Sequence, residues 1–192
     1  IPTIKKVLSS GGAVILMSHL GRPKDGPDKK NSLRHLISHL THLLGQEVKF
    51  ADDCMGAQAS EMSGALKSGE VLLLENLRFY KQEEKGDVEF SKKLASYADV
   101  YINDAFGAAH RAHASTEGIA RHLPSYAGTL MYREIEMLSS LITKPEKPFV
   151  AIIGGAKVSS KIKILNNLFN KVDTMLIGGG MAYTFLKSRA VP

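Results

Sequence analysis

Five short apolar runs that do not alternate constrain this chain more than any other feature: residues 13–17 (AVILM), 71–74 (VLLL), 100–102 (VYI), 149–153 (FVAII) and 174–177 (TMLI). A strand with one face in water alternates apolar and polar residues. A run that is apolar at nearly every position is covered on both faces, as parallel strands flanked by helices are. Residues 48–50 (VKF) read as a sixth, weaker strand. Helical patterns lie between these runs. The clearest covers residues 32–44, with Leu33, Leu36, Ile37, Leu40, Leu43 and Leu44 at helical spacing, Asn31 or Ser32 as N-cap and Gly45 as stop, so its leucine face is expected in the core. Further helices are expected over residues 2–9, 88–96, 128–142, 159–170 and 181–187. The β-α-β-α order predicts the α/β class, a doubly wound parallel sheet of Rossmann-like, three-layer form.

A length of 192 residues suits one large domain, or one domain and part of another. The segment 143–148 (TKPEKP) sets two prolines among polar residues between a long helix and a new strand, so a linker is expected there. The division is then residues 1–143 and residues 144–192. Both domains read as incomplete: residues 1–2 open a helix where a strand would usually come first, and the last segment stops after one βαβα unit, too short to bury a core of its own. Apart from the polar segment 24–31, no stretch is of low complexity.

Apolar residues at 44% and charged residues at 23% exclude a disordered or collagen-like chain. The single cysteine, Cys54, allows no internal disulfide and fits a reducing compartment, so a cytoplasmic location is expected. No apolar run approaches the roughly 20 residues of a membrane helix, and no secretory leader is seen; no membrane partner is expected. The formal charge of +6 favours an anionic partner without naming it.

Ligands of open α/β sheets bind beyond the carboxyl ends of the strands, so the residues that follow each run carry the chemistry. The first run leads into Ser18-His19-Leu20-Gly21-Arg22-Pro23. The second leads into Glu75-Asn76-Leu77-Arg78-Phe79, and the third into Asn103-Asp104-Ala105-Phe106-Gly107 and then His110-Arg111-Ala112-His113. Each loop delivers an arginine. Guanidinium forks pair bidentately with phosphate and carboxylate, so the set suits a small, multiply charged phosphorylated acid. A single arginine would more simply pair with a nearby carboxylate on the surface, but three at successive strand ends point to one rim.

The fourth run leads into Gly154-Gly155-Ala156-Lys157-Val158-Ser159-Ser160-Lys161 and a helix: a glycine turn at a helix N-terminus, with two lysines a turn apart. It is not a Walker A loop. The fifth ends in Gly178-Gly179-Gly180, which permits close backbone approach by a ligand or simply makes a tight strand-to-helix turn. Together the two glycine loops suggest a nucleotide on the second domain and transfer between two anionic sites.

Five segments, SHLGRP (18–23), LLLENLRF (72–79), YINDAFGAAHRAHAST (101–116), IGGAKVSSKI (153–162) and IGGGMAYTFLK (177–187), resemble the motifs of phosphoglycerate kinases in order and spacing, over nearly the whole chain. The resemblance implies reversible phosphoryl transfer from 1,3-bisphosphoglycerate to ADP, giving 3-phosphoglycerate and ATP in glycolysis, by a monomeric phosphotransferase with a carboxyl group as acceptor. It implies that His19, Leu20, Gly21, Arg22, Arg78 and Arg111 bind the acid, and that Gly155, Ala156, Lys157, Lys161, Gly179 and Gly180 line the nucleotide site. Lys157, Arg22 and Arg111 would be the catalytic set. Magnesium would arrive as Mg-ATP or Mg-ADP, with no metal ligand in this chain. The family's amino-terminal strand with its VDFNVP-type motif, the arginine after it and the later adenine and magnesium loops have no counterpart here, so the chain alone is expected to be inactive.

Other readings are weaker. A basic nucleic-acid-binding domain would explain the charge, yet the chain has no tryptophan, 7% aromatics and arginines at strand ends instead of along one helix, so no nucleic acid is expected. A non-catalytic scaffold of the same fold is a third reading. His35, His39 and His42 have the spacing of zinc ligands but fall opposite the leucine face, without carboxylates to orient them. Cys54, beside Asp52 and Asp53, reads as an ordinary thiol. Glu83, Glu84 and Lys85 read as a solvated loop, and the scattered methionines as core filler.

Overall fold

The computed structural model describes residues 1–24 and 26–190. Asp25, inside the polar segment 24–31, and the last two positions of the expected second domain lie outside the described residues. The chain divides into two compact units, Ile1–Glu134 and the residues from Ile135 onward.

The first unit runs α1 (Pro2–Ser9), β1 (Val14–Leu16), a 3-10 turn (Leu33–Leu36), α2 (Ile37–Leu44), β2 (Val48–Ala51), α3 (Ala57–Gly64), β3 (Val71–Leu74), α4 (Lys81–Lys85), α5 (Val88–Ala95), β4 (Tyr101–Asn103), α6 (Phe106–Ala109), β5 (Ser125–Ala127) and the start of α7 (Thr129–Thr143). The second runs from the rest of α7 through β6 (Val150–Gly154), α8 (Ile162–Phe169), β7 (Thr174–Gly178) and α9 (Gly180–Ser188). The strands pair in parallel throughout, as β1-β3-β2, β4-β5 and β6-β7.

The unalternating run VLLL finds its cause in β3, which lies between β1 and β2 and is buried at every position. The two-residue period of a strand sends Val71 and Leu73 to one side, into a core with Leu33, Val48, Ile4 and Leu8 of α1, and Ile37, Leu40 and Leu44 of α2. Leu72 and Leu74 go to the other side, against Ala59 of α3, Phe90 and Leu94 of α5, Tyr101 and Ile119. Helices on both faces exclude water from both, which makes every position of the strand apolar.

Local chemistry sets the helix ends. The Ser32 hydroxyl accepts from the Arg34 amide at 3.1 Å, and Gly45 takes the left-handed conformation that closes α2. The expected helix over 32–44 therefore begins with a 3-10 turn. Its leucine face is narrower than expected, because Leu36 and Leu43, at 39% and 38% exposure, lie at the rim of the stripe. The expected strand near residue 100 starts one residue later, at Tyr101. Two elements had no apolar signal. Strand β5 (SYA) is exposed along its length and is held beside β4 by backbone pairing, and α3 (AQASEMSG) buries only Ala59 and Ser63.

Two expectations are corrected. The charge run at residues 83–85 is no solvated loop: it lies in α4, and Glu83 is 2% exposed because donors from another segment compensate its burial. Strands β6 and β7, read as buried, alternate instead. Among the described residues each pairs only with the other, so Ile152, at 79% exposure, and Leu176 face water while Ala151, Leu165 and Met181 form the buried part of this unit.

Leu33 and Leu43 should therefore respond differently to truncation. Leu33→Ala should destabilise the chain by about 2–5 kcal/mol through the cavity it leaves, and Leu43→Ala by under about 1 kcal/mol, read from urea unfolding followed by circular dichroism. Equal losses would restore the wider leucine face.

Candidate anion-binding site

Strands β1 and β3 are parallel neighbours with Leu16 opposite Leu73, so the loops beyond them leave the sheet side by side. Buried polar side chains of the second loop tie them together. Asn76 is 0% exposed, and its Nδ2 donates to the carbonyls of Leu20 and Asn31, both at 2.8 Å, while its Oδ1 accepts from the Arg78 amide at 3.0 Å. Glu75, also buried, accepts from the Leu33 amide at 2.8 Å, the Asn76 amide at 2.7 Å and the Ser32 hydroxyl at 2.6 Å. The Leu77 amide donates to the Ser18 carbonyl at 3.2 Å. These bonds satisfy groups that would otherwise be buried without partners, and removing one end leaves an orphan worth about 1–3 kcal/mol. Gly21 takes φ +64° with Asn31 Oδ1 where a Cβ would stand, so no other residue fits without strain.

The site's charge rests on this frame. The Arg78 side chain is 8% exposed; its Nη1 donates to the Gly21 carbonyl at 2.9 Å, and its Nε, 3.4 Å from Glu84 Oε1, lacks a hydrogen-bonded partner. That nitrogen is itself buried, so the unspent bonding capacity lies inside the loop and not at its surface. Half-buried His19 is held below its usual value, first by burial and then by the charges of Arg78, Arg111 and His113, with Glu84 opposing them. Arg78, Arg111 and His113 are therefore close enough to His19 to act on it, which brings residues of the first, second and third loops to one place. Arg22 is exposed and makes no side-chain hydrogen bond or ion pair among the described residues; Leu20 is exposed beside it. Cations gathered in this way suit an anion with charge at more than one point.

The glycine loops belong to the second unit. Lys157 is exposed and opens a 3-10 turn (Val158–Ser160), and half-buried Lys161 stands between that turn and α8. The Met181 amide donates to the Gly155 carbonyl at 2.9 Å, joining the two loops. A Cβ on Gly179, which has φ +66°, would stand 3.1 Å from the Gly155 carbonyl oxygen, and one on Gly180 3.3 Å from the Ala156 Cα. Gly179 and Gly180 therefore serve the fit of one loop on the other.

Among the described residues no group of three or more His, Cys, Asp and Glu is placed to hold a metal. His35, His39 and His42 are exposed on their helix, with His35 Nε2 2.7 Å from the Lys29 carbonyl. Cys54 is buried, and burial with the Asp53 charge pushes its thiol up, away from a reactive thiolate. The sequence reading found the cations but missed Glu75, Asn76 and Glu83. The only signal for the first two was their place directly after a buried strand.

His19 supplies a test of this crowding. Its ring should titrate below 6.5 by NMR, since burial and nearby cations disfavour the charged form. The unfolded chain then takes up this proton first, so His19 opposes folding as pH falls below 6.5. Added inorganic phosphate should move the midpoint upward. A midpoint at or above 6.5 in the free chain would contradict the arrangement.

Three comparisons bear on the family. The family model described as phosphoglycerate kinase matches residues 1–192. The phosphoglycerate kinase of Leptospira biflexa is 59% identical over 192 residues, all of this chain and 48% of that protein. The cytosolic phosphoglycerate kinase of Triticum aestivum is 56% identical over 192 residues, with 48% of its length covered. Other relatives are named chloroplastic. The solved structure of phosphoglycerate kinase from Coxiella burnetii superimposes with a TM-score of 0.85 at 40% identity, over 98% of this chain and 47% of that one. The chain spans about half the length of the curated relatives it matches. With a parallel α/β fold, a cationic rim at the strand ends and a family match along its full length, this chain belongs to the phosphoglycerate kinase family.

Proposed function

We propose that this chain carries the acid-binding part of an enzyme that moves a phosphoryl group reversibly from 1,3-bisphosphoglycerate to ADP, with the carboxyl group of 3-phosphoglycerate as acceptor in the reverse direction. One observation carries the reading: His19 lies under the combined charge of Arg78, Arg111 and His113 on a rim braced by Asn76. In this reading residues 1–143 form the acid-binding domain, residues 144–192 begin the nucleotide-binding domain, and the protein is a cytoplasmic monomer acting on small molecules, not on nucleic acid or membrane. No helix among the described residues is long and apolar enough to cross a membrane.

His19, Arg22, Arg78 and Arg111 hold the phosphate and carboxylate, with the Leu20 and Gly21 backbone shaping the loop between them. Lys157 steadies the transferring phosphoryl group, and Lys161 with the loops at Gly155, Ala156, Gly179 and Gly180 meets the nucleotide phosphates. The exposed Lys157 ammonium at the start of a 3-10 turn fits that task. Magnesium enters on the nucleotide, as Mg-ATP or Mg-ADP, held mainly by the nucleotide and by residues this chain does not include. The chemistry asks for no protein nucleophile: a loose phosphoryl-transfer transition state is favoured by in-line placement and by cations at the transferring oxygens.

Two variants test the acid site. Arg22→Lys and Arg111→Lys should each weaken binding of 3-phosphoglycerate to the chain by about tenfold or more, measured by calorimetry, because an ammonium keeps the charge but not the bidentate fork. Affinity within about twofold of the parent in both would place the acid elsewhere.

A further inference from the structure

Glu83 sits in α4 with 2% exposure, and nothing in the proposed reaction uses it. A carboxylate so deep must be met by donors, and among the described residues both of its hydrogen bonds come from Ser115. The Ser115 amide donates to Oε2 at 3.0 Å, and the Ser115 hydroxyl donates to Oε1 at 2.5 Å. His113 Nδ1 stands 3.8 Å from Oε1.

Ser115 belongs to the turn that presents Arg111 and His113. The turn closes on itself through Thr116, whose hydroxyl donates to the Arg111 carbonyl at 2.6 Å and accepts from the His113 amide at 3.1 Å. It is gripped from outside at three points. The Tyr101 hydroxyl donates to the Ser115 carbonyl at 2.9 Å, Glu83 takes both Ser115 donors, and Gly86 at the end of α4 leaves room for the Ala112 carbonyl, which would stand 2.7 Å from a Cβ there. Two of the three grips come from α4 and its cap. Arg111 and His113 also lie where their charges act on His19, so the turn's placement decides whether the third arginine joins the rim.

We propose that Glu83 is a positioning residue for the acid site: through Ser115 it fixes the turn of residues 111–116, so that Arg111 and His113 stand beside His19 before any ligand arrives. The buried carboxylate also stands 3.8 Å from His113 Nδ1, on the inner side of the turn. The neighbouring Glu84 has a different task, lying against Arg78 Nε on the first side of the rim. The inference rests on the reading of this rim as the 3-phosphoglycerate site.

The experiment measures two quantities in the full chain for the parent, Glu83→Gln, Ser115→Ala and the double variant: the calorimetric Kd for 3-phosphoglycerate and the melting temperature. Glutamine keeps the shape but turns an amide N–H toward a donor, so Glu83→Gln should raise Kd by about tenfold, and the milder Ser115→Ala by about threefold. The double variant should be no worse than Glu83→Gln alone, because both act through one contact. If Glu83→Gln does not fold, Ser115→Ala decides. A lowered melting temperature with Kd unchanged in the variants would make the contact merely structural and overturn the inference alone. A parent chain that binds no 3-phosphoglycerate would overturn the functional reading and this inference with it.

Discussion

The side-chain amide of Asn76 is the interaction on which the rest of the first unit's chemistry depends. It has no solvent contact, and its three hydrogen bonds join segments distant in sequence: the loop after β1 at Leu20, the entry to the 3-10 turn at Asn31, and its own loop at Arg78. A buried amide with every partner in place rigidifies its surroundings, whereas the same amide with one partner missing is a liability. The loop that carries His19 and Arg22 has no apolar core of its own. Its geometry is borrowed from Asn76, from the Leu77 amide and from the Arg78 guanidinium on Gly21.

Cations gathered this way repel one another, and the structure answers with carboxylates at graded distance. Glu84 lies against Arg78, Glu83 lies behind His113, and His19 is kept toward its neutral form by burial and by its neighbours. Among the described residues Arg22 makes no side-chain hydrogen bond or ion pair, so the rim is not fully neutralised. In the proposed function the phosphate and carboxylate of the acid supply the missing charge. Such a site gains its affinity from placement made during folding and not at binding, as fits a reaction whose rate comes from holding donor and acceptor in line.

Much of this was legible in the sequence, for identifiable reasons. The four apolar residues of β3 announced a strand covered on both faces because a strand's alternation is local and its burial on each side is large. Arg22, Arg78 and Arg111 could be picked out because they follow buried runs, and the structure brings Arg78 and Arg111 to bear on His19 while leaving Arg22 exposed. The supports could not be picked out. Asn76 and Asn31 meet through one hydrogen bond and Glu83 and Ser115 through two, each pair across tens of residues, and such contacts leave no periodic trace. Glu83 looked like one more charge in a polar run because its burial comes from a partner that local reading does not see. The exposed strand β5 was hidden because backbone pairing needs no apolar side chain. The glycines at 155, 179 and 180 were visible as permissive positions, but their service to the neighbouring loop was not.

Preformation of the rim is the central claim, and hydrogen exchange on the ligand-free chain tests it most directly. The amides of Leu77, Arg78 and Ser115 donate respectively to Ser18, Asn76 and Glu83. The account predicts that they exchange as slowly as the amides of β3, with little further slowing when 3-phosphoglycerate is added. If they exchange like an unstructured peptide while β3 stays protected, and slow only with ligand present, the rim is assembled by its ligand and the account is wrong.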